Sequence, residues 1–104
     1  MQYAVIEHRA VDPEKVKDLG SIMHKMCEWI ASIKELAKKG TVKCHYAFRN
    51  GHGSVTIYDV SDSQELDKIL ASHPLEAELV QREVIEVISP DEALTNLSRY
   101  MIQV

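Results

Sequence analysis

The chain predicts an α+β fold built on one antiparallel sheet, and three observations carry that prediction. The stretch from Gly40 to Val60 reads as a β-hairpin with an apolar and a polar face. A long apolar stripe at helical spacing precedes it. A second helix and a fourth strand follow it, each behind its own turn or capping signal. At 104 residues, with 45% hydrophobic and 27% charged content, the chain is expected to form a single domain over residues 1–104.

The elements follow in order. Residues 2–9 alternate loosely around Val5 and Ile6 and read as a strand. Asp12-Pro13-Glu14 opens a helix, with Asp12 capping free amides and Pro13 at the first helical position. Val16, Leu19, Met23, Met26, Ile30, Ile33 and Ala37 form its apolar stripe, and Gly40 stops it. In the hairpin, Asn50-Gly51 suits a two-residue turn because both residues tolerate positive φ. That register pairs Cys44 with Ile57 and Tyr46 with Val55 on the apolar face. On the polar face it pairs Ala47 with Ser54, His45 with Thr56 and Lys43 with Tyr58, and it sets Arg49 opposite His52.

Ser61-Asp62-Ser63-Gln64 reads as a capping box, with Ser61 and Gln64 as partners, before a short helix carrying Leu66, Ile69 and Leu70. His73-Pro74 ends that helix, because the residue before proline is pushed out of the helical region. Residues 75–79 are ambiguous, and Val80 to Ile88 is a strand. Ser89-Pro90-Asp91-Glu92 caps a final helix with Ala93, Leu94, Leu97 and Met101. The order strand, helix, strand, strand, helix, strand is the ferredoxin-like split βαβ plan, with an added C-terminal helix. Small proteins of this plan cover the free sheet face with a second subunit, so a homodimer of dimeric α+β barrel type, or a higher oligomer, is expected.

Charge and composition narrow the partners. A net charge of −4 with no basic stripe argues against nucleic acid. No apolar stretch approaches the ~20 residues that span a bilayer. The start of the chain leads straight into a strand, so no signal peptide is expected and a cytoplasmic location is. Cys27 and Cys44 make no disulfide framework. The histidines His8, His24, His45, His52 and His73 show no recognised ligand spacing, so no metal site is expected.

Gly40-Thr41 opening the second strand, Thr56-Ile57-Tyr58-Asp59-Val60 closing the third, the short helix after it and His73-Pro74-Leu75 resemble the muconolactone Δ-isomerase family. The resemblance is best over residues 40–88. It implies a dimeric α+β barrel and a small isomerase that needs no cofactor. No catalytic set of that family transfers residue by residue.

The residues themselves supply a candidate site. If the apolar hairpin face packs on the helices, the polar face points into the barrel and lines a small-molecule pocket. Arg49 then pairs with a substrate carboxylate through a two-pronged contact. His45 takes and returns a proton near neutral pH. Tyr58 donates to a developing enolate oxygen, Glu7 is an alternative base, and Ser54, Thr56 and His52 bind substrate. The expected reaction is proton transfer on a carboxylate-bearing lactone or an enolisable molecule. Two other functions fit the same fold: a monooxygenase-like barrel acting on an aromatic substrate or haem, and a non-catalytic oligomeric ligand-binding or stress protein.

Overall fold

The computed structural model describes residues 1–9, 19–73 and 80–103. Its elements are β1 (Gln2–Arg9), α1 (Leu19–Lys38), β2 (Val42–Ala47), β3 (Gly53–Asp59), α2 (Ser63–Ala71), β4 (Val80–Val87) and α3 (Pro90–Gln103). The helix start read at Asp12-Pro13, the stripe residue Val16, Pro74 and residues 75–79 lie outside the described residues. The strands form one four-stranded sheet in the order β2-β3-β1-β4, with every neighbouring pair antiparallel. This is the ferredoxin-like arrangement that the element order predicts.

Local chemistry explains the boundaries. Gly40 adopts φ 83°, and the amides of Gly40 and Thr41 donate to the carbonyls of Ala37 and Leu36 at 3.1 and 3.0 Å. That closes α1 with a Schellman motif, which only a residue free to take positive φ completes cheaply. At α2 the cap shifts by one residue from the expected Ser61–Gln64 box. Asp62 is the N-cap and accepts from the Glu65 amide at 2.9 Å, while Glu65 reaches back to the Ser61 amide at 2.7 Å. A carboxylate is as good a cap as a hydroxyl, and the acidic partner sits one position later. At α3, Ser89 Oγ accepts from the Glu92 amide as expected.

The hairpin keeps the predicted register for Cys44↔Ile57, His45↔Thr56, Tyr46↔Val55 and Ala47↔Ser54. Two details differ. Val42, not Lys43, stands opposite Tyr58, because an irregularity between Val42 and Cys44 absorbs a residue. The turn is also wider. The Phe48 amide donates to Gly53, the Gly51 amide donates to Phe48, and only Gly51 takes a positive φ, 77°. Asn50 stays at negative φ among the described residues, so the tight turn with two positive-φ residues does not form.

The larger correction concerns the faces. Tyr3, Val5 and Glu7 on β1 and Thr56 and Tyr58 on β3 are buried on the side that carries the helices. They pack with Trp29 and Ile33 of α1 and Leu66 and Leu70 of α2. The polar face of the hairpin therefore faces the helices. Its apolar face, with Cys44, Tyr46, Val55 and Ile57, is the uncovered one, and Tyr46 is 68% exposed. The stripe of α1 is rotated as well. Its sheet-facing residues are Ile22, Met26, Trp29, Ile33 and Leu36, whereas Met23 and Ile30 are exposed. Trp29 supplies more apolar surface than any side chain of the expected stripe, and it sets the helix's rotation.

Candidate functional site

The buried polar face is held together by its own hydrogen bonds. Period-two alternation puts Glu7 on the same face of β1 as Val5, and the antiparallel register sets it beside Arg82 of β4. Arg82 Nε donates to Glu7 Oε1 at 3.1 Å, and His73 Nε2 lies 3.1 Å from Glu7 Oε2. An ionised carboxylate only accepts, so the shared proton sits on His73 Nε2. The side chains of His73 and Glu7 are 4% and 11% exposed. The Trp29 ring packs against the His73 imidazole at a 41° tilt, with centroids 4.3 Å apart. Burial, the largest influence on Glu7, pushes its carboxyl up. The hydrogen bond and charge of His73 and the Arg82 guanidinium outweigh it and hold Glu7 below the usual carboxylate range.

A second chain of bonds lies beside the first. His45 Nδ1 is 2.7 Å from Thr56 Oγ1, and Thr56 in turn hydrogen-bonds Tyr58. Burial lowers the pKa of His45, and the negative charge of Glu7 works against that shift. Tyr58 is 1% exposed; burial first, and then the Glu7 charge, push its hydroxyl far above the ordinary tyrosine range.

Between these groups and α1 lies a cavity of about 130 Å³. Glu7, His45, His73, Arg9 and Ser54 give it polar walls, and Met26, Trp29, Ile30 and Val80 apolar ones. Arg9 spans from the end of β1 to α1, where its terminal nitrogen lies 2.6 Å from Met26 Sδ. The volume is close to the ~150 Å³ cavity that holds one benzene ring in an engineered protein core.

The structure brings together Glu7, His45 and Ser54 at the cavity, with Thr56 and Tyr58 directly behind His45. It does not bring Arg49 or His52 there. Both are exposed in the turn, where the His52 amide donates to Asn50 Oδ1. The cavity's guanidinium is Arg9, which shares the Glu7 face by alternation. Tyr58 is enclosed in the core rather than lining the cavity. Glu7 bonds His73 and Arg82. His73, read as a helix-ending residue, is the partner that sequence reasoning passed over. Among the described residues no group of three or more His, Cys, Asp and Glu side chains is placed to hold a metal ion.

No protein-family model matches the chain, and no curated protein matches it. The chain is similar in structure to the 5-chloro-2-hydroxyhydroquinone dehydrochlorinase TftG of Burkholderia phenoliruptrix, solved in complex with 2,5-dihydroxybenzoquinone. The TM-score is 0.66 at 13% identity, over 88% of this chain and 98% of that one. At that identity the likeness establishes the α+β ferredoxin-like fold. Among the described residues no helix is long and apolar enough to cross a membrane.

Proposed function

We propose that this chain is a small enzyme that moves a proton on a single-ring, enolisable or lactone substrate held between the sheet and α1. It resembles muconolactone isomerase in kind and works as a homodimer. The observation that carries this reading is the ring-sized cavity with His45 in its wall and an ionised, doubly bonded Glu7 beside it. The bound quinone of TftG is likewise built on a single six-membered ring.

The roles follow from the geometry. Thr56 takes His45 Nδ1, so Nε2 is the nitrogen left to meet a ligand. Burial keeps His45 neutral near neutral pH, the state needed to accept a proton. When the imidazole takes the proton, the fixed charge of Glu7 stabilises the imidazolium that forms. Arg9 takes the part first read for Arg49 and holds the enolate or carboxylate oxygen. The imidazolium then returns its proton to a neighbouring carbon. Glu7 acts through its charge, since both of its oxygens already accept hydrogen bonds. Tyr58 and Thr56 orient His45 from behind.

The dimer rests on the uncovered apolar sheet face around Tyr46, Ile57 and Ile85. The test is solvent-deuterium incorporation into small ring lactones and enolisable ring ketones, followed by NMR. The wild-type chain should label at least one of them, and His45→Gln should slow labelling by about 10²–10⁴-fold, the usual worth of a general base. Equal labelling by both proteins would contradict the assignment.

A further inference from the structure

We infer that α3 is an arm that packs its apolar stripe on a second copy of this chain. The inference extends the dimer proposed above. The stripe consists of Leu94, Leu97, Tyr100 and Met101, which are 62%, 60%, 70% and 76% exposed. The helix is nonetheless well built, with Ser89 at its N-cap and Pro90 at its first position. A helix of 14 residues is marginal by itself in water and needs a packed face to persist. Among the described residues, its own body does not provide one. The molecule extends 58 Å along one axis against 28 and 24 Å along the others. The radius of gyration is 16.6 Å, whereas a compact chain of this length has about 13 Å.

Area decides the occupant. Strands of six to eight residues on a four-stranded sheet present a face of about 24 by 19 Å, or about 450 Å². That falls short of the ~800 Å² per partner of a standard stable interface. The stripe of α3, about 21 Å long, adds about 200 Å² and brings the total to about 650 Å², inside the ~600–1,000 Å² per partner of standard interfaces. The two surfaces are also continuous, because Ile85 and Ile88 are exposed at the end of β4 directly before α3. A twofold pair satisfies both arms at once. A membrane surface fits less well: the polar side of α3 carries Asp91 and Glu92 against Arg99, not the basic face that anionic lipid attracts.

The test is peptide-resolved thiol alkylation of full-length Leu97→Cys, beside Thr95→Cys on the opposite side of α3. Both are followed across a dilution series, with sedimentation velocity on the same samples. In the dimer, position 97 should label at least about tenfold more slowly than position 95, and the difference should vanish on dilution to monomer. If Leu97→Cys fails to fold, Leu94→Cys is read in the same way. A dimer with position 97 as reactive as position 95 overturns the arm and leaves the dimer standing. A monomer at every concentration overturns both. Protection that survives dilution to monomer places α3 on its own chain and overturns the inference. So does protection seen only when anionic phospholipid vesicles are added.

Discussion

Replacing Glu7 by glutamine keeps the shape of the side chain and removes its charge. In the native fold that charge accepts from His73 and Arg82, each at 3.1 Å, in a site where Glu7 is 11% exposed. Glutamine still offers an oxygen to Arg82, but it turns an amide N–H toward the His73 N–H. Breaking one side of a buried ion pair costs about 3–5 kcal/mol, and the retained Arg82 bond sets the expectation at the lower end, about 3 kcal/mol. For a domain of this size that is a fall in Tm of roughly 10–20 °C. The pH dependence has a definite sign. The folded pKa of Glu7 lies below its unfolded value, so its contribution is present above the unfolded pKa and is lost as pH falls through the folded one. The gap between wild type and Glu7→Gln should therefore be full at pH 7 and close in acid. The assay is urea unfolding of both proteins at matched protomer concentration from neutral to acid pH, since a dimer's stability depends on concentration. A gap at pH 7 below about 1 kcal/mol, or one that widens in acid, would refute the reasoning.

Two further substitutions probe the frame around the cavity. Trp29→Ala removes a core ring that is 6% exposed and packs against His73. It should cost about 3–5 kcal/mol in denaturant unfolding, and a loss under ~1 kcal/mol would contradict its place in the core. Gly53→Ala sets a methyl against the Glu7 carbonyl and the Phe48 ring, where β1 and β3 meet at the cavity. Backbone has little room to yield there, so about 1–3 kcal/mol of destabilisation is expected, with faster amide exchange at the Glu7 end of β1.

Much of the fold was legible because it is written in local signals. The period-two hairpin, the Gly40 stop and the Ser89-Pro90 cap each act within a few residues, and the strand order follows from them. The site was harder to read. Sequence pattern assigns a hairpin's apolar face to the helices, and here the helices take the face with His45, Thr56 and Tyr58. Those groups hydrogen-bond one another and Glu7 is paired, so among the described residues none is buried without a partner. An apolar face left open carries no local mark that distinguishes it from a core face. The Glu7–His73 bond joins residues 66 positions apart, and no spacing rule reaches that far. Arg9 was within reach: alternation along β1 already placed it on the Glu7 face.

The most direct test of the account is an NMR titration of ¹⁵N-histidine-labelled protein with 2,5-dihydroxybenzoquinone, a single-ring enolisable probe. The account predicts saturable shifts of the His45 and His73 ring nitrogens, with the exposed His24 and His52 unmoved. Shifts confined to His24 and His52, or none at saturating ligand, would contradict it.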